Sequence, residues 1–327
     1  MKRFNVAILG SGGLGRNAAK IVSMKQELRL LGICDSKGFA FSKEGLDPTE
    51  VASMPEGSSV AELLHGKICK DPLQEIIERS ASIDGIFVAL PNLPNTFIPE
   101  VTRRFLEGGY QGVFSDVLKR TSAVEKMLEL DALAKHCKAV YLTGCGATPG
   151  LLSAAAVLAA QSFVTVESVD IYWGVGIPSW EAYRATIRED IAHLPGFSVD
   201  KAQALTDQEV NTLLEERNWK LELKEMEHAD DILLERVGVV KKRSQVTVGG
   251  VMDTRSSKKP VSTTMTLTGT TFEGKRSSHR FILGDETTMP ANVIGPALGY
   301  LKRGFWLKEH GIYGVFGSTE FMPMVVK

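Results

Sequence analysis

The chain has little of what marks a secreted, metal-bound or membrane protein. Its 327 residues include four cysteines, Cys34, Cys69, Cys137 and Cys145, and no two form a CxxC pair. No Asn-x-Ser/Thr sequon occurs and no signal-like stretch opens the chain, so a disulfide framework is excluded and a reducing cytoplasm is expected. Six scattered histidines offer no ligand spacing. H-E-x-x-H, G-x-S-x-G and a P-loop lysine motif are all missing, which argues against a metal site and against the common hydrolases. Neither sign of charge dominates. The 38 Lys and Arg against 39 Asp and Glu leave −1, giving no electrostatic case for nucleic acid or an anionic membrane. Lys241-Lys242-Arg243 and Lys258-Lys259 read as solvated turns. Long apolar runs are missing too: residues 151–164 are alanine-rich but too short to span a bilayer, and read as a buried helix.

What is present begins at Phe4. Residues 4–9 form an apolar run that breaks into Gly10-Ser11-Gly12-Gly13-Leu14-Gly15, a G-x-G-x-x-G spacing, before the helix-compatible Arg16 to Val22. In a dinucleotide-binding βαβ unit the first glycine makes the tight turn, the second admits the pyrophosphate, and the third lets helix and strand pack closely. The phosphates then meet the helix N-terminus, where free N–H groups favour negative charge. A second apolar run, Leu28 to Cys34, ends in Asp35, 20 residues beyond Gly15. A carboxylate there can grip a ribose 2′-hydroxyl and repel a 2′-phosphate, so NAD is expected over NADP, with Ser36 and Lys37 beside it.

Strand and helix signals alternate up to about residue 143, with strands at 85–90, 112–116 and 139–143. Residues 36–48 read as a turn-rich excursion. The expected fold is α/β: a Rossmann doubly wound parallel sheet over residues 1–150, then a second α+β domain, 151–288, on a largely antiparallel sheet. Thr- and Val-rich runs from Gln245 to Leu283 supply that sheet, and helices are expected at 180–193, 206–217 and 223–236. A last helix near 291–303 returns to the first domain, so that 289–327 completes it. Such a chain is expected to pair as a homodimer.

Ligands in open α/β sheets collect beyond the carboxyl ends of the strands. Pro91 and Asn92, Asp116 with Lys119, and the Gly144–Gly150 loop with Thr148 all follow strand ends. Lys119 or His193 can move a proton, with Asp116 as an orienting acid. Trp173 ends an aromatic, glycine-rich strand, and Arg184 and Arg188 share a helical face suited to clamping a carboxylate. These point to a carboxylated small-molecule substrate.

The same residues carry a resemblance. Val6 to Gly15, Thr143-Gly144-Cys145-Gly146-Ala147-Thr148-Pro149-Gly150 and Trp173-Gly174-Val175-Gly176 resemble the saccharopine dehydrogenase-like oxidoreductases, with a layout similar to meso-diaminopimelate dehydrogenase. The resemblance spans about half the chain. It implies an NAD(P)-dependent oxidoreductase transferring hydride at an amino- or imino-bearing carbon of a carboxylated metabolite. The family carries Asp before its Pro-Gly where this chain has Thr148, a departure from the family pattern that bears on its usual amino-acid substrate. Cys34-Asp35-Ser36-Lys37-Gly38 and Glu44-Gly45-Leu46-Asp47 also resemble homoserine dehydrogenase, which implies an alcohol oxidoreductase. A third reading is a nucleotide-sensing regulator without turnover.

Overall fold

Continuous apolar segments bounded by glycine or polar turns become strands buried on both faces. The computed structural model describes residues 3–55 and 57–327. Its first strands are β1 (Phe4–Leu9), β2 (Leu28–Cys34), β3 (Gly38–Phe41), β4 (Gly66–Ile68), β5 (Gly85–Val88), β6 (Val113–Asp116) and β7 (Val140–Thr143). Then come β8 (Phe163–Gly176), β9 (Lys220–Leu223), β10 (Val246–Asp253), β11 (Thr263–Thr271), β12 (Arg276–Leu283) and β13 (Gly314–Gly317). Two sheets result, ordered β13-β7-β6-β5-β1-β2-β3-β4 and β12-β11-β8-β10-β9.

In the first sheet β1 lies parallel between β2 and β5, and the parallel run continues through β6 and β7 to β13. Successive β1 side chains serve opposite faces, as strand geometry requires. Ala7 and Leu9 enter one buried cluster, Val6 and Ile8 the other. The chain runs outward from β1 to β4 and then returns beside β1 as β5, so the strand order reverses between β1 and β5. A crevice opens at the carboxyl ends of strands that part in this way.

The end of the chain closes this sheet. Helix Met289–Glu309 packs over β5, β6 and β7. Its Phe305 stacks on Phe4 with ring centroids 4.0 Å apart, and Lys302 reaches Glu27 at 2.7 Å. No helix among the described residues is long and apolar enough to cross a membrane.

Three local expectations need revision. The excursion after Asp35 holds a strand: β3 runs antiparallel to β2 and carries β4 outside it. Residues 223–236 are not one helix, because β9 ends at Leu223 and the helix begins only at Asp230. The helix expected at 180–193 is a 3₁₀ turn, Trp180–Tyr183, followed by helix Arg184–Ile191. The second sheet is largely antiparallel as expected: β8 and β10 pair in parallel, and the other three pairings are antiparallel.

Candidate active site

A cleft of about 1270 Å³ lies at the reversal point, walled by the first sheet on one side and the second on the other. Its floor is the glycine loop. Gly10 holds a φ of +103°, and a Cβ there would sit 2.4 Å from the Ala89 carbonyl oxygen. A Cβ on Gly15 would come within 1.9 Å of the Gly10 oxygen, so this glycine serves helix–strand packing and does not line the cleft. Gly12 has extended backbone and nothing within 4 Å of where a Cβ would stand. Helix Gly13–Ser23 starts there with no side-chain cap and no acid in its first turn. Its leading N–H groups therefore remain available to an anion. Gly10, Ser11, Gly12, Gly13 and Leu14 all line the cleft, as do Asp35, Ser36, Lys37, Pro91 and Asn92.

Asp35 is committed to its own surroundings. Its Oδ1 accepts from the Lys37 and Gly38 amides at 2.8 and 3.0 Å, and its Oδ2 from the Val60 amide at 2.8 Å. The Ser59 hydroxyl bonds both oxygens, and Ser11 donates to Oδ2 at 3.2 Å. Two carboxylate oxygens offer about four acceptor sites, so a ribose hydroxyl must compete with Ser11 or Ser59.

Opposite the glycine loop, Lys119 enters the cleft. Its Nζ lies 2.5 Å from both Glu189 Oε2 and Asp190 Oδ1, two acids that are almost wholly buried. Helix Arg184–Ile191 supplies both carboxylates, and the loop after β6 supplies the lysine. Trp173 and Thr148 also line the cleft, and Thr148 donates to Asp230 at 2.6 Å.

Besides Gly15, three expected site residues stand outside the cleft. Asp116 is fully buried under the loop after β6, accepting from the Leu118 and Gly144 amides at 3.0 and 2.8 Å and from Thr143 at 2.9 Å. Burial pushes its carboxyl up to about 6 against the pull of those bonds. It clamps two loops together. His193 is buried behind Lys119, its Nε2 3.9 Å from Glu189. Burial, then the Arg120 and Lys119 charges, hold its imidazole down to about 3. The ring is therefore neutral at pH 7 and set apart from the cleft. Arg188 does share a helix with Arg184, but its guanidinium donates to the Leu205 carbonyl at 3.0 Å and to Asp207 at 2.7 Å. Arg184 reaches the cleft rim, exposed and paired with the same Asp207 at 3.2 Å.

His228, one of the six scattered histidines, stands just before helix Asp230–Arg236 and carries no signal in the sequence. Its Nδ1 lies 2.7 Å from Asp230, which is fully buried and also accepts from Ser153. A carboxylate beside Nδ1 draws the ring proton to that nitrogen and leaves Nε2 as the working atom. His228 lines the cleft alongside Met226. Among the described residues no three or more His, Cys, Asp or Glu are grouped to hold a metal ion.

A glycine-looped α/β sheet with a second sheet closing a cleft over it is the architecture of two-domain dehydrogenases, and solved structures agree. The chain superposes on DAP dehydrogenase of C. glutamicum in complex with DAP with a TM-score of 0.57 at 16% identity, covering 98% of this chain and 94% of that one. Saccharopine dehydrogenase of Saccharomyces cerevisiae gives 0.57 at 11% identity, covering 97% and 94%. The resemblance to this group therefore holds for the fold. No family model matches the chain. Sequence is more specific: the chain is 41% identical, over 352 aligned positions and 99% of both proteins, to (S)-8-amino-7-oxononanoate synthase BioU of Haloferax mediterranei. The chain belongs to this synthase family and is an enzyme.

That membership corrects the expected activity. A saccharopine dehydrogenase-type hydride transfer on an amino or imino acid, the activity the resemblance implied, is overturned. The full-length relative is a synthase, and the dehydrogenases share little beyond the fold. The homoserine dehydrogenase-like alternative goes with it.

Proposed function

We propose that this chain forms (S)-8-amino-7-oxononanoate or a close homologue of it in the cleft, with NAD or NADP as its cofactor. The match to the Haloferax synthase over 99% of both proteins carries the reading. The cleft supports the cofactor through the open space at Gly12 and the uncapped start of helix Gly13–Ser23. Gly10 to Leu14 would hold the pyrophosphate, and Ser36 and Lys37 would flank the adenosine ribose. A bound nicotinamide supplies or takes a hydride. Because Asp35 is already saturated, it discriminates weakly against a 2′-phosphate.

The product named for the relative carries a ketone and an amine on adjacent carbons. Lys119 is the amine suited to that end of the molecule. An amine beside a carbonyl can donate a hydrogen bond to it or, after yielding a proton, condense with it to an imine. Glu189 and Asp190 stand ready to take that proton, and His228 Nε2 is a second group able to move one. The test is rescue of a bacterial strain that cannot make 8-amino-7-oxononanoate. Wild-type chain should restore growth and produce the compound by mass spectrometry. Lys119→Arg keeps the charge but cannot form an imine, and should not rescue. Absence of the compound in cells holding folded wild-type protein would overturn the reading.

A further inference from the structure

Beyond β10 the chain forms a strap, residues 254–262, that crosses the mouth of the second sheet before β11 begins. The strap is pressed onto the end of β8. A Cβ on Gly174 would lie 1.7 Å from the Val261 carbonyl oxygen, and one on Gly176 would lie 2.4 Å from that of Lys258. Thr263 pins the junction by bonding both the amide and the carbonyl of Gly174, at 2.9 and 3.1 Å. The sequence pattern of Lys258-Lys259 suggests a solvated turn, yet Lys259 is half-buried and lines the cleft.

The cleft also has an apolar lining from the second sheet and the segments beside it: Trp173, Met226, Met252, Leu283 and Met289, all but Met289 buried. The Lys259 ammonium donates to the Gly284 carbonyl at 2.6 Å and touches the Thr287 hydroxyl at 3.3 Å. It has no carboxylate within ion-pair distance among the described residues, although Asp285 and Glu286 are on the next loop. Asp285 is instead bonded to Ser262. The other cleft cations differ. Lys119 and Arg184 have acid partners, and Arg16 is held by the Met54 and Pro55 carbonyls. Lys37 and Lys70 are exposed on the first sheet's side. An ammonium with a donor to spare, in a cleft that also carries an apolar lining, calls for an anionic partner on an apolar stem.

We propose that Lys259 binds the carboxylate of an aliphatic oxo-acid whose methylene chain lies along Trp173 and the three methionines. The inference rests on the proposed function, since 8-amino-7-oxononanoate is such a molecule: its carboxylate is at one end and its oxo and amino groups near the other. The strap and Lys119 would then grip opposite ends of the substrate, making chain length the property the enzyme reads. Burial lowers the affinity of the Lys259 amine for its proton, and Asp285 and Glu286 oppose this. An incoming carboxylate would oppose it further.

The experiment compares 7-oxononanoate with its methyl ester as ligands of the cofactor-loaded protein by calorimetry, using wild type, Lys259→Gln and Lys259→Arg. Wild type should prefer the acid by about tenfold or more, the worth of one charge-assisted contact. Lys259→Gln should lose that preference by weakening only the acid, and Lys259→Arg should keep most of it. A lysine that merely ties down the Gly284 loop would affect acid and ester alike. If Lys259→Gln still prefers the acid, the anchor lies elsewhere while the proposed function stands. If wild type binds neither ligand and makes no 8-amino-7-oxononanoate in the rescue strain, both proposals fall.

Discussion

Gly12→Val separates the glycine loop's role in folding from its role in binding. The backbone at this residue is extended, and the space where a Cβ would stand is clear for 4 Å. A branched side chain should therefore cost no more than about 0.5 kcal/mol of stability, the usual range for a site without packing or strain. A dinucleotide meets a different surface. Its pyrophosphate must approach the loop closely enough to accept from the first N–H groups of helix Gly13–Ser23, and a valine fills that approach. Two lost charge-assisted hydrogen bonds at about 1.5–3 kcal/mol each come to about 3–6 kcal/mol, or at least about a hundredfold in affinity. Calorimetric titration with NADH and NADPH, beside a thermal melt of the same samples, measures both halves. A variant that melts with wild type and still binds both cofactors with wild-type affinity would refute the pyrophosphate cradle. Gly15→Ala is the counterpart, because its Cβ would collide with the Gly10 oxygen and should lower the melting temperature directly.

Two further outcomes follow from buried groups. His193 has a folded value near 3 against an ordinary one near 6.5, so its contribution is present above pH 6.5 and is lost as pH falls towards 3. Asp116 works oppositely, with a folded value near 6, so folding gains from it as pH falls from 6 to about 4. Denaturant melts of His193→Gln should consequently show a flatter fall in stability between pH 6.5 and 4 than wild type, and an unchanged slope would refute the assignment. Asp35→Ala should cost about 2 kcal/mol or more, since it strips the acceptor from three amides and two hydroxyls. It should shift the NAD to NADP preference little, and a large swing towards NADP in titrations would show that the carboxylate governs cofactor choice after all.

Much of the first sheet was legible because its signals are local. The run from Phe4 to Leu9 and the glycines behind it need no distant partner to be understood. Helix Met289–Glu309 was visible from periodicity, although its contacts lie across the whole chain. Pairing was harder. The parallel match of β8 with β10 leaves no hairpin turn in the sequence, as the two strands are separated by the helices and β9. β3 is four residues long and supported by an edge partner, so its propensity was lost among turn residues. At the site, helical spacing correctly grouped Arg184 with Arg188, but a shared face does not say what lies opposite, and Asp207 and Leu205 were there. His228 and Lys259 were hidden for a similar reason. One acts through an acid two residues away that begins a helix, and the other sits on an irregular strap whose position depends on two glycines in a different strand.

The late arrival of helix Met289–Glu309 has a consequence for the nascent chain. Ile294, Leu298, Leu301 and Phe305 cover a face of the first sheet that is otherwise apolar. A ribosome reaches Met289 about 7–30 s after Thr143, at about 5–20 residues per second. Throughout that interval the strands up to β7 are present without their cover, while the whole second sheet is still being made. The growing polypeptide thus carries an uncovered apolar layer for longer than most small domains take to fold.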